Sequence, residues 1–330
     1  MAHLAVSSRL RLLLPLGAAL AFAVPWVASN FVLFQLTLVL VYAIAILGLN
    51  LLTGFNGQVS LGHSAFFALG AYTAAILIDQ AHWPYWATLP VAALLCFAFG
   101  FLFGLPALRL QGSYLALATF ALAVTMPQLL KFSRLEALTG GVQGISLNKP
   151  SAPAGLPTWL TINADQWLYC FVLAVALLAA AGAVQLMRSR SGRALMAIRD
   201  HSIAATAMGI DVSAYKSLTF GLSALYTGVA GALGAIVVQY VAPDSYTVLF
   251  SIALLVGLVV GGVGSIPGAL IGGLFILYVP NVAEKVSKSL AGGIYALILL
   301  LVVYLMPLGI AGALKRWPAL RFKRHPQEGD

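Results

Sequence analysis

LLLPLGAALAFAVPWVASNFVLFQLTLVLVYAIAILGLNLLTGFNGQVSLGHSAFFALGAYTAAILI, residues 12–78, contains no Asp, Glu, Lys or Arg. A helix needs only about 20 mostly apolar residues to cross a hydrocarbon layer of roughly 30 Å. Sixty-seven uncharged residues therefore hold three membrane spans and set the fold class, an all-α polytopic membrane protein. Working outward, uncharged runs at 80–108, 110–130, 166–187, 217–243 and 289–314 add one span each. The run 245–283 holds two short spans joined by the Gly-rich turn Gly261-Gly262-Val263-Gly264. The total is ten, in one transmembrane domain over residues 1–330. Ten divides into two blocks of five, and an odd number per block makes the blocks run in opposite senses, the arrangement of an inverted repeat.

Ten spans put both termini on one side. Loops retained in the cytoplasm keep an excess of Lys and Arg. With the termini cytoplasmic, the outer segments hold only Lys131, Arg134, Lys149, Lys285 and Lys288, and the inner segments hold the other thirteen of 18. The reverse orientation inverts that ratio. The net charge of +9 is spread over membrane-flanking loops and a basic tail at 315–330, so anionic lipid headgroups are its expected neighbours and nucleic acid is not. Arg9 and Arg11 followed by an apolar stretch resemble a signal peptide, and the expectation is an uncleaved first span acting as its own signal. Cys96 and Cys170 fall inside apolar runs and read as small buried apolar residues.

The chemical inventory excludes more than it offers. No Gly-Lys pair occurs, so there is no P-loop to hold a nucleotide, and no metal or hydrolase signature is present. No metal or cofactor is expected, and neither is catalysis. A proton- or sodium-coupled transporter generally keeps a carboxylate within the membrane. Here Asp79, Asp244 and Glu284 stand at the ends of apolar runs and the other six acids lie in loops or tails. Energy from a separate ATP-hydrolysing subunit is the better expectation.

Two places combine polarity with position. Between 50 and 64 the apolar run is interrupted by Asn50, Thr53, Gly54, Asn56, Gly57, Gln58, Ser60, Gly62, His63 and Ser64. Such a break either aims helix N–H groups at a solute within the membrane or is a plain cytoplasmic turn between spans. His63 reads as a hydrogen-bonder between helices and not as a ligand group. The second place is the inner loop 188–216, where Ser191 precedes a stretch from Gly192 to Met208 that reads as a single short amphipathic helix, Gly209 stopping it. Leu195, Ile198 and Ser202 share its apolar face, while Arg193, Arg199, Asp200 and His201 supply exposed charge. It lies on the membrane surface or docks a cytoplasmic partner. The outer loop 131–165, rich in Gly, Pro, Ser and Thr, reads as a cap or docking surface. The pairs Gly100/Gly104, Gly257/Gly261 and Gly268/Gly272, with Gly228, Gly231 and Gly234, read as helix-packing positions.

The run from Gly48 to Phe67, with Thr53-Gly54-Phe55-Asn56-Gly57-Gln58 and Ser60-Leu61-Gly62-His63-Ser64 at its centre, resembles the most distinctive segment of a known family. That family is the inner-membrane permease subunits of ABC importers for branched-chain amino acids, and the likeness is to its LivM-like branch. Leu108-Arg109-Leu110-Gln111-Gly112-Ser113-Tyr114, Leu138-Thr139-Gly140-Gly141-Val142-Gln143-Gly144-Ile145, Gly192-Arg193-Ala194-Leu195 through Gly209-Ile210, and Gly261-Gly262-Val263-Gly264-Ser265 agree in the same order. The resemblance implies a bacterial inner-membrane permease with a homologous second permease, two ATPase subunits that bind the ATP, and an external substrate-binding protein. It also implies that the inner loop is a coupling helix seated on an ATPase, with Arg193, Arg199, Asp200, Ala204, Ala205 and Gly209 as its coupling residues. Ala204-Ala205-x-x-x-Gly209 matches the core of the importer pattern, although Ile203 stands where the family pattern has Glu. Asn50, Thr53, Asn56, Gln58, Ser60, His63 and Ser64 are the candidates for the substrate path. Urea or short amides as cargo, a passive channel, and a membrane assembly factor are the rival readings.

Overall fold

The computed structural model describes residues 21–107, 110, 112–150, 163–288, 290–306 and 309–313. The first twenty residues, Arg109, part of the outer loop and the basic tail lie outside the described residues, and with them most of the first expected span. What is described is helical, with a single two-stranded ladder. In order the α-helices longer than five residues are α1 (Asn30–Leu49), α2 (His63–Asp79), α3 (Tyr85–Ala107), α4 (Ser113–Leu130), α5 (Ala164–Arg188), α6 (Arg190–Asp200), α7 (Ser202–Ala207), α8 (Val212–Val238), α9 (Val248–Gly261), α10 (Gly268–Val286) and α11 (Ala291–Leu305). Six helical stretches are long and apolar enough to cross a membrane, namely α1 with its extension to Phe55, α3, α4, α5, α8 and α10, and three shorter apolar helices accompany them. The short ones are α2, α9 and the body of α11. The protein is an α-helical, multi-pass membrane protein.

Helix α8 is the axis of the bundle. It packs against α3, α2 and α1, while α10 lies on α9 and α1, and α5 lies on α1. Between helices in lipid the hydrophobic effect supplies little, so close backbone approach and hydrogen bonds must hold the bundle. The glycines of α8 supply the first. A Cβ at Gly231 would strike the carbonyl of Phe67, one at Gly70 the carbonyl of Gly228, and one at Gly228 the side chain of Cys96. Gly257 and Gly261 meet Gly272 and Gly268 in the same manner across the α9–α10 turn. Cys96 is buried and Cys170 half-buried, and both thiols are free.

Contacts between loops sort them by side. Strand β1 (Ile145–Ser146), between α4 and α5, pairs antiparallel with β2 (Tyr240–Val241), between α8 and α9. Lys131 reaches Asp244 at 2.5 Å, and Gln80 donates to the carbonyls of Ala137 and Leu138. Lys149 pairs with Asp165 at 2.6 Å beside a small cavity of about 120 Å³ that Phe34, Thr37 and Leu168 help to line. The loops after α2, α4 and α8 thus share one face. Gly54 and Gly57, the helices α6 and α7, and the α9–α10 turn lie together at the opposite end.

The inner loop is not one helix. His201, with φ −159° and ψ 96°, breaks it into α6 and α7 and then caps α7, its Nδ1 accepting from Ala204 N–H at 3.3 Å. Ser189 caps α6, two residues before the position expected from Ser191. Leu195 and Ile198 are buried as expected, but Ser202 is exposed, because the break at His201 removes it from their face. Gly209 does end the segment, at φ +82°, with Ile210 N–H donating to the Ala205 carbonyl.

Candidate functional site

The end of α1 is unusual in a way that glycine and amide residues allow. Past Leu49 the helix widens into a π-turn over Asn50–Phe55, closed by Gln58 N–H donating to the Leu52 carbonyl at 3.1 Å. Such wide turns are rare and favour functional positions. The chain then climbs back through Asn56–Gly62 and α2 begins at His63. Two neighbours measure the depth of that restart. Ser223, which touches His63, stands eleven residues into α8, roughly 16 Å along the axis at 1.5 Å per residue. Thr119, which touches Leu61, stands six residues into α4, about 9 Å along its axis. The break is therefore within the bundle and not a plain turn at its end.

Buried backbone at such depth requires partners, and side chains from two other helices and from Ser60 provide them. Leu61 N–H donates to Thr119 Oγ1 at 3.0 Å, and Gly62 N–H to Ser60 Oγ at 3.3 Å. Ser64 N–H donates to Ser251 Oγ at 2.8 Å, whose hydroxyl returns a bond to Ser64 Oγ. These start-of-helix donors are already satisfied inside the protein.

His63 is completely buried between two serines, its Nδ1 3.1 Å from Ser60 Oγ and its Nε2 2.7 Å from Ser223 Oγ. The Ser223 hydroxyl donates to the Gly48 carbonyl at 2.7 Å, so it accepts from His63. Nε2 then carries a proton, and Nδ1 faces the Ser60 hydroxyl. A chain of bonds, Ser60 to His63 to Ser223 to Gly48, ties α2, α8 and α1 together.

Asn50 does comparable work at the other end of the break. Its Nδ2 donates to the Ser265 carbonyl at 3.0 Å and its Oδ1 accepts from Gly264 N–H at 2.8 Å, so one amide clamps the turn between α9 and α10. Thr53 Oγ1 donates to the Gln58 carbonyl at 2.9 Å. Asn56 and Gln58 differ. Both are buried, and neither polar atom of the Asn56 amide nor Gln58 Nε2 has a hydrogen-bond partner.

The two sets of sequence candidates meet at Arg199. Its Nη1 donates to the Gly54 carbonyl at 3.1 Å, while Nε and Nη2 hold Asp200 Oδ1 at 3.0 and 2.9 Å. Arg193 is exposed and donates to the Arg188 carbonyl at 3.2 Å. Ala204 is exposed and Ala205 is buried. Beyond these, Ile203 and Met208 stand 76% and 83% exposed on the loop, apolar side chains that no chain neighbour covers. The residues that satisfy the break, Thr119, Ser223 and Ser251, were not among the sequence candidates. For Ser223 a signal existed, since Thr219, Ser223 and Thr227 recur every fourth residue in an apolar run and all three are buried.

Comparison with known proteins gives the family. The family described as the permease component of branched-chain amino acid transport systems matches residues 31–306. The chain belongs to that family. The high-affinity branched-chain amino acid transport system permease protein LivM of Escherichia coli K12 is 35% identical over 265 residues, covering 74% of this chain and 62% of LivM. LivM of Salmonella typhimurium is 33% identical over the same coverage, and LivH of that organism is 26% identical over 307 residues, 82% of this chain and 91% of LivH. The chain spans about three fifths of the length of the two LivM proteins. No solved structure matches. Family and helices together place the protein in the bacterial inner membrane as a multi-pass protein.

Proposed function

We propose that the protein is the permease subunit of an ATP-driven importer that carries branched-chain or related aliphatic amino acids inward. The observation that carries this reading is the family match across nearly all of the described helices. In this reading ten spans place both termini in the cytoplasm, with two inverted five-helix blocks. A second, homologous permease completes the path, two ATPase subunits bind and hydrolyse the ATP, and an external binding protein docks at the loop 131–165. The chain itself needs no cofactor. The similarity to both LivM and LivH supports a system built from related permeases.

Within the chain the candidates divide into two roles. Asn50, Thr53, Ser60, His63 and Ser64 hold the break together by internal bonds. Asn56 and Gln58, with unpartnered amide atoms, are the better candidates for contact with a solute. Buried polar atoms without partners cost about 1–3 kcal/mol each, so a passing carboxylate or ammonium group that satisfies them recovers part of that cost. On the loop, Ile203, Met208 and Gly209 form the exposed surface suited to an ATPase groove.

Gly209→Val tests the docking role. Nothing lies near a Cβ at this position, but φ +82° disfavours any branched side chain, so the fault stays local to the loop exit. Expected is normal membrane insertion with ATP-dependent leucine uptake lost. Unchanged uptake would remove the docking claim.

A further inference from the structure

Arg199 occupies an uncommon position, in that a residue of the cytoplasmic loop caps the end of a helix from another part of the chain. The last four carbonyls of any helix lack partners within it. Gly54 is one of these at the end of the π-turn, and the Arg199 guanidinium supplies the missing donor where positive charge also suits the helix dipole. The fit is close, since a Cβ on Gly57 would come within 2.9 Å of Arg199 Cγ, and one on Gly264 would lie 3.9 Å from Nη1. One turn earlier, Asn50 holds Gly264 and Ser265. Three elements that are distant in sequence, the loop helix α6, the end of α1 and the α9–α10 turn, thus meet through two side chains and one wide turn.

From this geometry we infer that Arg199 is a positioning residue that transmits movement of the inner loop to the break in α1, and through Asn50 to the α9–α10 pair. The wide turn supplies the two discrete arrangements that such a device requires. Resolving it into ordinary α-geometry changes the helical phase by one residue, about 100° at 3.6 residues per turn. A rotation of that size between the start and the end of the turn cannot leave both the Asn50 clamp on Gly264 and Ser265 and the Arg199 bond to Gly54 in place. Close by, the unpartnered amides of Asn56 and Gln58 just after the turn, and the unpartnered hydroxyl of Ser265, whose carbonyl Asn50 holds, mark a region whose hydrogen bonding is incomplete in this arrangement. Displacing α6 withdraws the guanidinium from Gly54, releases the turn, and lets these groups find new partners.

This inference rests on the importer reading, and the experiment separates the two. The full complex, the chain co-expressed with the ATPase and second-permease subunits that the importer reading requires, is purified and reconstituted in proteoliposomes with wild-type chain, Arg199→Gln or Arg199→Lys. Leucine uptake and ATP hydrolysis are measured together. Expected for Arg199→Gln is normal ATPase co-purification and continued hydrolysis, with solute moved per ATP falling about tenfold, the scale of one charge-assisted hydrogen bond. Arg199→Lys, which keeps a donor for the Gly54 carbonyl, restores the ratio. A wild-type ratio in Arg199→Gln overturns the transmission role. So does a parallel loss of assembly, hydrolysis and uptake, which marks a residue that only folds the loop. If the wild-type chain recovers no ATPase at all, the importer reading fails and the transmission role falls with it.

Discussion

Among single residues, His63 shows how a polar group earns a place inside an apolar bundle. Each ring nitrogen has one serine, and each serine has a second partner, so no donor is left over. Removing one member therefore costs more than the bond itself. Ser223→Ala leaves the buried Nε2–H without an acceptor and the Gly48 carbonyl without a donor. Hydrogen bonds between membrane helices measure about 0.6 kcal/mol on average and up to about 1.7 kcal/mol, and with two groups stranded the upper end is expected. Thermal unfolding of the detergent-solubilised protein checks the loss of stability, and ¹⁵N spectroscopy of labelled histidine should show Nε2 protonated in the wild-type chain. Sequence reading reached His63 as a bridge between helices but not its partner 160 residues away. That partner was hidden because a serine in an apolar run can equally bond its own helix, as Thr219 and Thr227 do.

Helical elements were legible to different degrees, and the reasons are physical. Long apolar runs announce α3, α4, α5 and α8 with boundaries close to the charge gaps, because lipid rewards nothing else of that length. The π-turn and the depth of the α2 start were not legible, since period and composition look alike for a turn at the surface and one inside the bundle. In the inner loop, helix-forming residues from Gly192 to Met208 favour one helix, yet His201 breaks it by capping α7. Arg199 looked like surface charge and instead turns one of its three nitrogens inward to Gly54. Glycines were the reverse case, where a simple packing reading accounts for the crossing of α8 over α2 and α3. A Cβ on Gly228 would lie 2.6 Å from Cys96 Cβ. Gly228→Ala is expected to destabilise the protein by about 1–3 kcal/mol through overpacking. Cys96→Gly in the same chain should restore much of that loss, which melting of the two single variants and the double variant would reveal. Additive losses would mean that the crossing is not the source.

At the scale of the whole molecule, loop contacts and charge bias bear on the same topology from independent directions. The β1–β2 ladder, the Lys131–Asp244 pair and the Gln80 bonds gather three loops on one face. Those are the loops that the Lys and Arg count assigns to the outside, and α6 with α7 lies at the other end. Reporter fusions at Arg199 and Gln143 should place the first in the cytoplasm and the second outside. A cytoplasmic signal from Gln143 would reverse the orientation.

The charge-free interior has an electrical consequence. Among the described residues, every Asp, Glu, Lys and Arg lies in a loop or near a helix end. An elementary charge carried across the bilayer exchanges about 2.3 kcal/mol with each 100 mV of membrane potential. Helices that tilt or slide without such a charge exchange almost nothing, so their rearrangement is deaf to voltage.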